Sequence, residues 1–221
     1  EELAELERRS QAAAAALLAS LAAPQRQAVV AAMGMVRRTL SEAEVEVKSQ
    51  GPDTEEARSC LRAYARELAI RFPEGYEESS LLPPEALSGG RGVLLIARRR
   101  GRIVGCGCIT QLTARTMEIR HVWVAPEARG VGVGRRLLSE LERWALSHGG
   151  GRVRLDTHRE LTEAIQLYRS NGYIEVPAYN RNPHAHHWFE KRLVEKLEGA
   201  RQRRLGAAKA KMAEPAERAS C

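Results

Sequence analysis

Aromatic residues are scarce in this chain, with two Phe, three Trp and five Tyr among 221 residues. A surface that grips nucleic acid by stacking interleaves aromatics with basic residues, and the basic stretches here do not. Cysteine is equally sparse. Cys60, Cys106, Cys108 and Cys221 make no CxxC pair and no Cys/His cluster of zinc spacing, so a zinc module and a disulfide scaffold are both excluded. No apolar run is long enough to cross a bilayer, and the charged start EELAELERRS does not read as a secretory signal. We therefore expect a cytoplasmic protein without a membrane partner. Position 1 is Glu rather than Met, which suggests a trimmed piece of something longer.

What is abundant is Ala and Arg, a bias that lowers the weight of Ala-rich stretches as structural signals. The formal net charge is +7 and suits a polyanionic ligand such as a nucleotide cofactor, although much of the excess sits after Glu195. Residues 1–42 read as a helical extension. Leu3, Leu6, Leu17, Leu18 and Leu21 recur at helical steps; Pro24 can start a second helix, on which Val29, Met33, Val36 and Leu40 form one stripe. From Val45 the period changes to two. A strand, a helix carrying Leu61, Tyr64, Leu68 and Phe72, and a Pro/Gly-rich loop over 73–92 follow. Strands are expected at 93–97, 103–112, 117–124, 153–156, 173–176 and 187–193, with helices after 134 and around 161–170. Residues 43–194 thus read as one mixed α/β domain, and 195–221 as a basic, solvated tail.

The informative stretch is HVWVAPEARGVGVGRRLLSELERW. A strand runs into a loop with glycines at 130, 132 and 134, and a helix starts there. Such a loop can bring its N–H groups onto a phosphate at the positive end of a helix. Arg129 and Arg135 flank it. A dinucleotide fingerprint belongs after the first strand, and a P-loop ends in GK[ST]; neither pattern fits. A plain connecting turn remains possible on these residues alone.

Arg129-x-x-Gly132-x-Gly134, together with MEIRHVWVAPEARGVGVGRRLL and AIQLYRSNGY, resembles the GNAT superfamily of N-acetyltransferases. The resemblance covers roughly residues 43–194. It implies a mixed, mostly antiparallel sheet splayed between its fourth and fifth strands, and acetyl-CoA as acyl-donor cosubstrate. The pantetheine arm would pair with the strand around Val122, Trp123 and Val124, with the Val122 N–H facing the thioester carbonyl. The pyrophosphate would lie on the amides of Arg129, Gly130, Val131, Gly132, Val133, Gly134 and Arg135. Leu161 stands where many relatives carry a cofactor-contacting Asn. Tyr168 matches the tyrosine that protonates the leaving thiolate, while its spacing equally suits a core aromatic. Glu118 matches a glutamate that takes the amine proton; His121 or a water chain would serve the same chemistry. We expect a primary amine of a small molecule as acceptor, with contacts from Phe72, Tyr76 and Asn180. His184, His186 and His187 lack a completing carboxylate or Cys, so we expect no metal.

Residues 1–40 also resemble the C-terminal helices of MarR-type winged-helix regulators, which make a dimer interface. That implies a homodimer through the N-terminal helices, and contact with DNA only indirectly, through a fused or associated reader. A metabolite-sensing module is therefore the alternative to an enzyme.

Overall fold

The computed structural model describes residues 2–194. The basic tail expected over 195–221, with Cys221, lies outside the described residues. The N-terminal extension is a pair of helices, α1 (Glu2–Ala19) and α2 (Ala23–Ala43), with Pro24 in the first turn of α2. The expected stripe does not find a core: Val29, Met33, Val36 and Leu40 are all exposed, as are Leu6 and Leu17.

Strand β1 (Val45–Gln50) follows directly, then α3 (Glu55–Arg71), capped by the Thr54 hydroxyl, which accepts from the Ala57 N–H. The expected loop over 73–92 contains two short 3-10 turns, Glu78–Ser80 and Pro84–Leu87. An antiparallel meander comes next: β2 (Gly92–Arg99), β3 (Arg102–Gln111) and β4 (Thr116–Val124). Helix α4 (Val133–Ser147) crosses to β5 (Arg152–Thr157). Then come α5 (Thr162–Ser170), the two-residue β6 (Ile174–Glu175) and β7 (His187–Arg192). The last hairpin is thus shorter on its first side than the sequence pattern suggested.

The seven strands form one sheet in the order β1-β2-β3-β4-β5-β7-β6. Every neighbouring pair is antiparallel except β4 and β5. That one parallel pair is short, covering Thr116–Arg152, Met117–Val153 and Glu118–Arg154. Beyond it β4 stays with β3 while β5 stays with β7, so the sheet splays between its fourth and fifth strands.

A bulge in β4 accompanies the divergence. Its register against β3 slips between Cys106 and Cys108, and His121 takes φ +54°, left-handed and rare for a residue with a side chain. Arg120 and His121 consequently both lie on the α3 side, where strict alternation would separate them.

The two faces carry two cores. On one, α4 and α5 bury Leu137, Leu138, Leu141, Ile165 and Tyr168 against the sheet. Gly105 and Gly107 allow α4 to come close: a Cβ on Gly107 would stand 3.0 Å from Leu141 Cδ1, and one on Gly105 would strike the Trp123 carbonyl at 2.5 Å. On the other face Cys106 and Cys108, fully buried, pack with Ala57, Cys60 and Leu61 of α3.

Candidate active site

Where β4 and β5 part, two cavities meet. The first, about 400 Å³, lies between α3, the end of β4, the glycine loop and α5. The second, about 420 Å³, lies between α3, the middle of β4, the end of β5 and the segment before β7. Tyr64, Leu68, Val122, Leu161, Ala164 and Tyr168 line both.

The first cavity gathers Val122, Trp123, Val124, Arg129, Gly130, Gly132, Val133, Gly134 and Arg135. The Val131 side chain packs on the core and does not line the cavity. Gly130 and Gly132 take φ +74° and +95°, the left-handed region in which a Cβ is strained. Gly134 serves a different end: a Cβ there would stand 3.0 Å from Leu167 Cδ2, so its smallness brings α4 against α5.

Helix α4 begins without a side-chain cap. Among the described residues no backbone carbonyl accepts from the amides of Gly130 through Arg135. Six donors at the positive end of a helix, beside an open strand edge, fit a diphosphate with an amide-bearing arm.

The Arg129 Nε donates to the Val124 carbonyl at 3.0 Å, and its Nη2 pairs with Glu67 at 2.5 Å. Glu67 also accepts from the Trp123 indole at 2.9 Å. Arg129 therefore ties the loop to β4 and α3. Arg71 spans the cavity from α3 to α5, donating to the Glu160 carbonyl at 2.6 Å and to Glu163 at 2.9 Å. Sequence reading missed Glu67 and Arg71 because on a helix they look like an ordinary i,i+4 surface pair.

The second cavity holds Glu118, Phe72, Tyr76 and Asn180, together with His121, Asp156 and Asn182. Glu118 is buried, and its Oε1 accepts from the Asn180 amide at 3.3 Å. The same amide donates to Asp156 at 2.6 Å, while Asn180 Oδ1 accepts from the Trp188 indole at 2.8 Å. Asn182 donates to the other Asp156 oxygen at 2.7 Å. Both ends of the Asn180 amide are thus engaged, which makes it a buttress for two carboxylates. Asp156 and Asn182 escaped the sequence reading because strand ends and loops bring them together only in three dimensions.

Phe72 stacks on His158, ring centroids 3.9 Å apart, and meets Tyr76 edge-on. His158 is held in turn by Glu74 at 3.0 Å. His121 Nε2 accepts from the Leu82 N–H at 2.9 Å, and burial pushes its pKa down to about 3. With that lone pair engaged and the charged form disfavoured, His121 is a poor base.

Tyr168 is 6% exposed, and its hydroxyl makes no hydrogen bond among the described residues. Burial, and then the Asp156 charge, raise its pKa above the ordinary phenol value. It stays protonated and able to donate.

The profile of the acetyltransferase (GNAT) family matches residues 58–173, more than half of the chain and all of this site except the segment before β7. The chain belongs to the GNAT acetyltransferase family. Enzymes of this family use acetyl-CoA as acyl donor.

An IAA acetyltransferase of Azospirillum brasilense is 36% identical over 100 residues, 45% of this chain and 65% of that protein. The N-alpha-acetyltransferase RimI of Mycobacterium tuberculosis is 39% identical over 84 residues, 36% of this chain and 51% of the relative. The fold matches a Klebsiella pneumoniae protein assigned as an acyl-CoA N-acyltransferase, with TM-score 0.56 and 27% identity, over 69% of this chain and 99% of that one. It also matches a Salmonella typhimurium protein solved with its cofactor acetyl-CoA, with TM-score 0.54 and 19% identity, over 69% and 95% of the two chains.

Proposed function

We propose that residues 43–194 form an N-acetyltransferase domain that moves an acetyl group from acetyl-CoA to a primary amine of a small molecule by direct attack in a ternary complex. The observation that carries this reading is the meeting of the two cavities at Val122 and Tyr168, one beside unsatisfied helix-start amides and one beside the buried Glu118 carboxylate.

Acetyl-CoA supplies an acetyl thioester in the first cavity. The amides from Gly130 to Arg135 hold its diphosphate, and the open β4 edge orients the arm. The Val122 N–H donates to the carbonyl oxygen as negative charge gathers there. Glu118, or a water it orders, takes a proton from the acceptor ammonium, since only a neutral amine attacks. Tyr168 gives its proton to the departing sulfur. Phe72 and Tyr76 wall the acceptor side, and Asn180 holds Glu118 and Asp156 in place. Cys106 and Cys108 are excluded as nucleophiles by burial under α3, which also pushes the Cys108 thiol up to about 12.

The test is release of the CoA thiol over a panel of amines, with N-acetylated product identified by mass. We expect one thiol per product and no label on the protein when radiolabelled acetyl-CoA is given alone. Stable labelling of the protein overturns direct attack; absence of any acetylated amine overturns the enzyme reading.

A second reading has its own support. The exposed apolar residues of α1 and α2, and the contact of Glu42 in α2 with the cofactor loop, favour a homodimer whose helices sense acyl-CoA for a MarR-type regulator. A dimer dissociation constant that does not change on adding acetyl-CoA removes it.

A further inference from the structure

Glu118 and Arg120 stand two apart on β4, so both side chains face α3 and enter the second cavity. The Arg120 side chain is 31% exposed. Its nearest anionic partner is Glu118, at 3.8 Å, too far for a hydrogen bond. Among the described residues its guanidinium makes no hydrogen bond at all. Asp156 spends its oxygens on Asn180 and Asn182, at 2.6 and 2.7 Å, and His121 faces Leu82.

A guanidinium has five N–H donors in a planar fork, and holding it two-thirds out of water without hydrogen bonds is costly. A carboxylate offers the matching two-oxygen edge. A dianion such as a phosphate monoester would also meet the fork, but it would face Glu118 and Asp156 in the same cavity and be repelled.

Resting on the acetyltransferase reading, we propose that the acceptor carries a carboxylate close to its amine, as an α- or β-amino acid does, and that Arg120 binds that carboxylate while the amine lies toward Glu118. The closeness follows from the strand: side chains two residues apart on one face cannot serve groups at the ends of a long chain. Arg120 is then a specificity-determining residue. The carboxylate completes the guanidinium's hydrogen bonds, and the ammonium balances Glu118.

The experiment compares kcat/KM for α- and β-amino acids, their carboxamides and the matching decarboxylated amines, on the full chain and on Arg120→Gln and Arg120→Lys. We expect the parent to favour the free acids over the amides roughly tenfold or more. Arg120→Gln should lose roughly ten- to hundredfold on the acids, mainly in KM, and leave the amides within about threefold, the scale of one charge-assisted pair. Arg120→Lys should recover part of the loss. Acetyl-CoA affinity, read by calorimetry, should not move, because Arg120 does not line the first cavity.

Equal use of acid, amide and decarboxylated amine by the parent overturns the proposal while leaving the acetyltransferase reading intact. So does an equal loss on acids and amides in Arg120→Gln. If that variant does not fold, the parent series alone decides. If none of these compounds is acetylated while another amine is, the proposal falls and the acetyltransferase reading stands; if no amine at all is acetylated, both fall.

Discussion

The side chain of Glu42, in the last turn of α2, lies directly against Gly132 of the glycine loop. Its Oε1 is buried without a hydrogen bond among the described residues, and Arg135 stands 3.3 Å away on the far side of the same turn. The N-terminal extension therefore touches the loop that starts α4, although it lies outside the acetyltransferase core.

That contact changes what a side chain at Gly132 would do. A Cβ there points at Glu42 and not into the first cavity, and φ is +95°. Gly132→Ala should cost about 1–2 kcal/mol for the left-handed backbone, a Tm fall of roughly 2–8 °C. Gly132→Trp should also distort the loop and remove acetyl-CoA binding by calorimetry. Unchanged affinity in Gly132→Trp would contradict the assignment of the loop to the diphosphate.

Tyr168→Phe keeps the ring in the core and removes the donor. We expect kcat to fall by about 10²–10⁴ on the true acceptor, with acetyl-CoA affinity nearly intact. Because burial raises the phenol's pKa, the parent should show no loss of rate from Tyr168 ionisation near pH 10. A variant as fast as the parent makes Tyr168 a packing residue only.

His121 predicts a pH dependence of stability. Its pKa is about 3 when folded and about 6.5 when unfolded. Between these values the unfolded chain binds a proton that the folded chain refuses, so stability falls as pH drops below 6.5. The contribution from His121 is about 2 kcal/mol between pH 6.5 and 5. Urea unfolding of the parent and of His121→Gln should show a shallower pH slope in the variant; parallel slopes would rule this out.

The exposed stripe on α2 predicts association. Met33 is 63% and Val36 51% exposed, in a helix with little else to cover it. The full chain should scatter light as a dimer at micromolar concentration, and Met33→Glu with Val36→Glu should weaken it by at least roughly tenfold. A monomeric parent sinks the homodimer.

Much of the architecture was legible because it rests on local rules. Alternation in β1, the helical spacing of Leu137, Leu138 and Leu141, and the glycine-bearing strand-to-helix turn are each written within a few consecutive residues. So was the position of the glycine loop, since φ > 0 at Gly130 and Gly132 is a demand that glycine alone meets cheaply.

Other features depended on groups far apart in the chain. That β4 leaves β5 after Glu118, with a bulge at His121 beside the divergence, is a matter of pairing between distant strands. Nothing in its local sequence separates Glu67 from any helix-surface carboxylate; the fold brings it to Arg129, 62 positions away, and to Trp123. Asn180 reads as a loop residue, yet it joins Glu118, Asp156 and Trp188 from three different strands. Periodicity and backbone conformation act over a few residues, so the sequence by itself determined the elements and the loop. Burial and hydrogen bonding act through space, so only the tertiary structure decided which polar groups face one another in the two cavities, and that Arg120 stands in one of them with its donors unspent.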